Sequence, residues 1–274
     1  MTIISRQNLA NNIRGKMRGI LNYKLTELEK KRKKISLSFL RQAAVKSNLI
    51  NHDFAAALKV ESGISLIAEI KRASPSVGEI NPDTNVLERA KTYEKAGANA
   101  ISVLTDEHFF KGSLEFLKTI RQQVDLPLLR KDFIFDEYQI YESKLNGADA
   151  VLLIASILHE RQLKKLLELA RTLGMSSIVE VHTIDDAKKA AFSGAEIIGV
   201  NNRNLSDFEI NPDNFFALVP FLQKNKILIA ESGIENGSQV ARLREAGADC
   251  VLVGTALMRS DNLTEKIHEL KLLI

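Results

Sequence analysis

From residue 97 onward the apolar positions gather into short, nearly continuous runs separated by longer stretches of helical period. Four of these runs follow a similar tetrad. Gly97-Ala98-Asn99-Ala100 leads into 101–104, Gly147-Ala148-Asp149-Ala150 into 151–154, Gly194-Ala195-Glu196-Ile197 into 198–200, and Gly247-Ala248-Asp249-Cys250 into 251–253. The tetrads start 50, 47 and 53 residues apart, each behind a stretch with helical character. A glycine that ends a helix just before a β-rich run marks a helix-to-strand turn. Other strands are predicted midway, at 66–70, 126–129, 177–181 and 227–230, with amphipathic helices at 114–123, 160–173, 184–192 and 239–246. Strands that are apolar throughout should be buried on both faces, the condition of a parallel sheet. Eight such units in about 200 to 250 residues predict an α/β protein, a (β/α)8 TIM barrel. A doubly wound open sheet is the alternative, but no G-x-G-x-x-G follows its first strand and it explains the repeat less well.

The division expected is an N-terminal helical extension over residues 1–65 and a barrel over 66–274. Within the extension, Leu21, Leu25, Leu28 and Ile35 can share one helical face, and Asp53 can cap a short helix through Ala55, Ala56, Ala57 and Leu58. These helices should pack over one mouth of the barrel. Residues 1–19 show no clear period.

Charge is distributed unevenly. Residues 1–34 hold ten Lys/Arg against Glu27 and Glu29, a surplus of eight; because the whole chain carries +4, the remainder carries four net negative charges. The high pI therefore belongs to the extension, and a solvated helix face is favoured over a nucleic-acid surface. No signal-peptide pattern opens the chain, and the longest apolar run, 150–158, is too short to span a bilayer, so the default expectation is the cytoplasm. The single cysteine, Cys250, lies in an apolar run and reads as a buried, inert thiol. The five histidines have no metal-ligand spacing, so no metal is expected. The sequence leaves the oligomeric state open between a monomer and a weak dimer.

In a barrel the chemistry sits at the C-terminal ends of the strands. Strand 1 ends Glu69-Ile70-Lys71, which puts Glu69 and Lys71 on one face; strand 3 leads into Arg130-Lys131-Asp132; strand 5 carries Glu180; strand 6 runs into Asn201, Asn202 and Arg203; strand 7 reaches Glu231. Buried charges are costly unless partnered, so five strands ending this way point to a site capable of general acid and base work. Glu231-Ser232-Gly233 after strand 7 and Gly254-Thr255 after strand 8 are small, hydroxylated loops of the kind that cradle phosphate in this fold. Ala73-Ser74-Pro75-Ser76-Val77-Gly78 is a loop able to reach over the mouth, and Phe109, Phe110, Phe133 and Phe135 could line an apolar pocket for an aromatic ring. His182 would share a face with Glu180, although a histidine satisfied by its neighbours is the commoner case.

From Asp53 onward the chain resembles indole-3-glycerol phosphate synthase. The likeness is carried by Ala68-Glu69-Ile70-Lys71-Arg72-Ala73-Ser74-Pro75-Ser76, Leu129-Arg130-Lys131-Asp132-Phe133, Val179-Glu180-Val181-His182, Gly199-Val200-Asn201-Asn202-Arg203-Asn204-Leu205, Ala230-Glu231-Ser232-Gly233-Ile234 and Leu252-Val253-Gly254-Thr255-Ala256-Leu257-Met258. The resemblance implies cyclisation of 1-(2-carboxyphenylamino)-1-deoxyribulose 5-phosphate, with loss of carbon dioxide and water and without a redox or metal cofactor, in tryptophan biosynthesis. It also implies roles for residues. Lys131 would protonate or polarise the ketone, Glu69 and Glu180 would handle the dehydration protons, and Lys71 would hold the substrate or share the acid role. Ser74, Asn201 and Arg203 would orient the anthranilate carboxylate and ring, with Phe109, Phe110 and Phe133 near the ring. Ser232, Gly233, Gly254 and Thr255 would hold the phosphate, and Glu231 would sit between phosphate and catalytic groups. Two positions depart from the family pattern: Val77 stands where lysine is common, and Asn204 where aspartate is usual. The rivals are another phosphate-binding barrel, such as an isomerase of a phosphoribosyl compound, and a non-catalytic protein that holds nucleic acid or an acidic partner through Lys30 to Lys34.

Overall fold

The computed structural model describes residues 9, 15–49, 51–75, 78–222 and 225–273. Eight parallel strands close into a barrel in the spatial order 1-8-7-6-5-4-3-2. They are strand 1 (Ser65–Ile70), strand 2 (Ala100–Leu104), strand 3 (Leu128–Lys131), strand 4 (Ala150–Ile154), strand 5 (Ser176–Val181), strand 6 (Ile197–Asn201), strand 7 (Ile227–Glu231) and strand 8 (Cys250–Val253). Strands 1, 2, 4, 6 and 8 are buried at every position, because barrel side chains fill one face and helices cover the other. Strands 3 and 7 run further toward the C-terminal rim than the apolar pattern alone suggests, ending on Lys131 and Glu231. The hydrophobic run ends where the chemistry begins.

The tetrads serve the barrel through a shared set of bonds. Gly97, Gly147, Gly194 and Gly247 all have positive φ, between 80° and 103°, the left-handed conformation that glycine adopts without a Cβ penalty. The next residue then donates back five positions: Ala98 to Tyr93, Ala148 to Ser143, Ala195 to Ala190 and Ala248 to Leu243. In three of the tetrads the third residue pins the neighbouring strand, the side chains of Asn99, Asp149 and Asp249 accepting from the N–H of Leu66, Leu128 and Leu228. Glu196 does this work with its backbone carbonyl, which accepts from Ile227.

Before strand 1 lie α1 (Gly15–Lys34), α2 (Leu37–Val45) and α3 (Phe54–Ala57). Leu21, Leu25 and Leu28 are buried on one face of α1, as expected, but Ile35 lies beyond the helix end and is 44% exposed. Ser36 caps α2 there by accepting from the Phe39 N–H, which breaks the stripe before Ile35 can join it. Asp53 caps α3 through the Ala56 N–H. A solvated basic face is not what α1 presents throughout: Lys24 is 2% exposed and lies 3.0 Å from Asp132 and 3.4 Å from Asp106, while Lys31 reaches Glu142 and Arg32 reaches Asp136. The surplus positive charge of the extension thus meets part of the negative charge of the barrel. Cys250 is free and fully buried, and burial pushes its thiol up to about 12, as an inert thiol requires. Among the described residues no helix is long and apolar enough to cross a membrane. Residues 1–8 and 10–14, which fall in the stretch without a clear period, and the departure at Val77 lie outside the described residues.

Candidate active site

The C-terminal rim surrounds a cleft of about 760 Å³, its open mouth included. In its floor, four odd-numbered strands each send one ionisable side chain inward: Glu69, Lys131, Glu180 and Glu231. A barrel interior is built of layers of four side chains from alternate strands, normally branched and apolar. Here the uppermost layer is three carboxylates around one ammonium. Lys131 Nζ lies 2.8 Å from Glu231 Oε2 and 3.3 Å from Glu69 Oε2, and Lys71 Nζ lies 2.9 Å from the other oxygen of Glu69. Glu180 accepts from Asn201 and has His182 Nε2 at 3.2 Å from its Oε1.

Close packing makes room for these groups by deleting side chains beside them. A Cβ on Gly199 would fall 2.1 Å from Glu231 Oε1, and one on Gly254 would fall 2.5 Å from Glu69 Oε1 and 3.2 Å from Lys71 Nζ. Burial pushes every carboxyl here toward the neutral form, and the nearby cations decide each outcome. For Glu69 the ammonium groups of Lys71 and Lys131 outweigh burial and hold it down at about 2. Glu180 is likewise lowered against its burial, by His182 and Lys131. Glu231 goes the other way, to about 7, because burial and the repulsion of Glu180 and Glu69 exceed what Lys131 returns. Lys131 is raised well above an ordinary lysine, its burial outweighed by Glu231, Glu69 and Glu180.

The walls divide by chemistry. Phe110 and Phe133, with ring centroids 6.1 Å apart, join Leu104, Leu152, Ile154, Leu205 and Phe208 on the apolar side. Ser74, Asn201, Arg203 and Ser232 supply polar groups. Asn201 Oδ1 accepts from the Arg203 N–H, and Arg203 donates to the Phe208 carbonyl, so this segment is fixed from within. Ser232 and Gly233 both have positive φ, which turns the chain sharply at the end of strand 7. Gly254 lies beside the Glu69–Lys71 pair, and Thr255 opens the short helix Thr255–Met258.

Five expected residues are not on the cleft wall: Gly254 and Thr255, at the end of strand 8, and Phe109, Glu231 and Gly233. Phe109 is turned toward α1, its ring centroid 5.7 Å from that of Tyr23 and 4.6 Å from that of His108. Glu231 is wholly buried against Lys131 and directly precedes Ser232 of the strand 7 loop. Gly233 faces a separate depression with Asn202 and Ile234. Arg130 also leaves the rim: it points outward between strand 3 and the following helix, bonded to Asp132, Thr105, Ser143 and Glu142.

Sequence reasoning missed Asp106, which lines the cleft and caps the Glu107–Phe110 helix by accepting from the Phe109 N–H, and Phe208, whose φ of 69° turns its ring inward. It also missed Lys24, although the signal was present: position 24 lies on the stripe of Leu21, Leu25 and Leu28. A lysine on a buried stripe demands an acidic partner.

A family model for indole-3-glycerol phosphate synthase matches residues 17–270. The chain belongs to the indole-3-glycerol phosphate synthase family. Relatives of that name are 48% identical over 237 residues in Campylobacter jejuni, covering 86% of this chain and 92% of the relative, and 47% identical over 219 residues in Acetivibrio thermocellus, covering 80% and 84%. Two solved structures of low sequence identity are similar in the barrel fold alone. A 3-hexulose-6-phosphate synthase aligns with TM-score 0.62 at 15% identity, covering 77% of this chain and 100% of that one. A thiamine phosphate pyrophosphorylase from Pyrococcus furiosus aligns with 0.58 at 19%, covering 77% and 95%. Within the synthase family's pattern the departure at Asn204 is explained locally. Its Oδ1 accepts from the N–H and hydroxyl of Ser206, work that an aspartate would do equally well.

Proposed function

We propose that this chain is a cytoplasmic indole-3-glycerol phosphate synthase, and that the charged top layer of its barrel performs the ring closure of 1-(2-carboxyphenylamino)-1-deoxyribulose 5-phosphate. The observation that carries this reading is the ammonium of Lys131 held within 3.3 Å of two carboxylates at the floor of a cleft with one apolar wall, which includes Phe110 and Phe133, and one polar wall. The aromatic carbon that bears the carboxylate attacks the ketone, whose oxygen gains negative charge as the bond forms. A cation donating to that oxygen lowers the barrier, and Lys131 is kept cationic by its carboxylate neighbours. Loss of carbon dioxide then leaves an alcohol that must be expelled as water. That step asks for an acid at the hydroxyl, served by Lys71 or Lys131, and a base for the departing proton, served by Glu180 with Glu69.

The ring lies against Phe110 and Phe133, with Ser74, Asn201 and Arg203 orienting its carboxylate. Ser232, Gly254 and Thr255 hold the phosphate through hydroxyls and backbone N–H groups, with Gly233 shaping the loop. Phe109 contributes by packing the Phe110 helix against α1, and Glu231 by fixing Lys131 from below. Of the helical extension proposed over residues 1–65, the described α1 braces the C-terminal rim through Lys24, whereas Asn51 and His52 dock at the opposite end of the barrel, just before strands 5 and 4, so the extension does not cover a single mouth. The test is formation of the fluorescent indole product by wild type, Lys131→Met and Glu180→Gln. Each variant should stay folded and lose kcat by roughly a thousandfold; wild-type turnover in either would remove that residue from the mechanism.

A further inference from the structure

His182 follows strand 5 directly, and the period of two that aims Glu180 into the barrel puts His182 on the same side. Its backbone is pinned from both directions. Its N–H donates to Asp186 Oδ2 at 3.1 Å, and its carbonyl accepts from Asn214 Nδ2 at 3.4 Å. Asp186 is itself buried and held by the Thr183 cap of the Ile184–Ser193 helix. The ring is therefore delivered to one place, with Nε2 3.2 Å from Glu180 Oε1 and the side chain only 9% exposed. It is not part of the cleft wall.

A histidine kept for packing alone would have its ring nitrogens satisfied, because an enclosed unpaired nitrogen costs stability. Here neither nitrogen makes a straight hydrogen bond among the described residues. What the ring does have is a carboxylate edge at contact distance, and that carboxylate is the one assigned to proton transfer. The ionisable groups facing the ring are all acidic: Glu180 on its own strand, Asp186 on the following helix and Glu231 on strand 7. Lys131 acts on Glu180 from strand 3.

We propose that His182 is a positioning residue for the reaction: standing behind Glu180 and outside the cleft, it keeps that carboxylate ionised and aimed at the substrate. The proposal rests on Glu180 being an acid–base group. Burial opposes an imidazolium, but the three carboxylates outweigh it and raise the His182 pKa, and the same contact lowers that of Glu180. The two groups thus stabilise each other's charged forms.

Two measurements test this. The first is kcat and KM against pH for wild type and His182→Gln, which keeps a polar side chain and removes the charge. The acid limb of kcat, where Glu180 becomes protonated, should move up by about one pH unit, with KM changed less than about twofold. A purely structural histidine would lower kcat by one factor at every pH and leave the limb in place, which overturns the proposal. The second is an NMR titration of labelled histidines in wild type and Glu180→Gln, which does not depend on any His182 variant folding. The His182 ring should hold its proton to higher pH in wild type, and identical titrations overturn the pairing. Full turnover in Glu180→Gln would instead remove the acid–base role of Glu180 itself, a failure separate from an unmoved limb in His182→Gln.

Discussion

A carboxyl group with no solvent exposure, Glu231, lies 2.8 Å below the ammonium of Lys131, and its Oε1 has no partner among the described residues. Three carboxylates and one lysine in a single layer cannot all be charged cheaply, and Glu231 bears the consequence with a pKa of about 7. The sign follows from linkage. Its folded pKa stands above the ordinary carboxylate value of 4.5, so its contribution to stability is intact below that value and is lost as pH rises through about 7. Denaturant titrations at several pH values should find wild type losing stability between about pH 4.5 and 7 and levelling off above that, and Glu231→Gln losing less. An equal loss in both would mean that Glu231 is ionised throughout. Glu69 works in the opposite sense: its pKa of about 2 gives stability that disappears only as pH falls from 4.5 toward 2. Gly199 is the counterpart of Glu231 on strand 6, since a methyl there would stand 2.1 Å from the carboxylate. Gly199→Ala should cost about 1–3 kcal/mol in a denaturant titration and lower kcat by displacing Lys131.

Strands and their turns were legible from the chain because each has a local cause. The apolar runs, the tetrad glycines with φ near 80°–103° and the Asp53 cap all depend on residues adjacent in sequence. The site was legible as far as period two reaches: it brought Glu69, Lys71, Lys131, Glu180 and Asn201 to one rim, where they line one cleft. It failed where a third element intervenes. Phe109 sits next to Phe110, yet a four-residue helix, Glu107–Phe110, turns the two rings apart. Arg130 and Lys131 are neighbours on strand 3 and therefore face opposite ways, one into the helix layer and one into the barrel. Lys24 was counted as surface charge because its acidic partners, Asp106 and Asp132, lie far along the chain. At this scale α1 is a clamp. Lys24→Met would leave the enclosed Asp106 without its cation and Asp132 with Arg130 alone, where Lys24 and Arg130 together hold Asp132 well below the usual range against its burial. The expected cost is about 3 kcal/mol of stability, with a rise in KM as the Asp106 and Phe110 segment loosens. Unchanged stability would show that α1 is docked by Leu21, Leu25 and Leu28 alone.

For the molecule as a whole, the basic extension and the mildly acidic remainder are two halves of one charge balance, joined through Lys24, Lys31 and Arg32. The pI near 9.0 is therefore not expected to translate into nucleic-acid binding. The full chain should pass through immobilised nonspecific DNA at low salt; salt-sensitive retention that is lost on deleting residues 1–34 would revive the rival reading. The barrel by itself names no reaction, since two solved structures that share it bear the names of a thiamine phosphate pyrophosphorylase and a 3-hexulose-6-phosphate synthase. Only the charged layer and its cleft do so. The decisive measurement is therefore fluorescence-detected formation of indole-3-glycerol phosphate from 1-(2-carboxyphenylamino)-1-deoxyribulose 5-phosphate by the purified chain in excess EDTA. Turnover that EDTA leaves untouched is the result expected of a site built from lysines and carboxylates alone; a folded protein that forms no product would contradict the account.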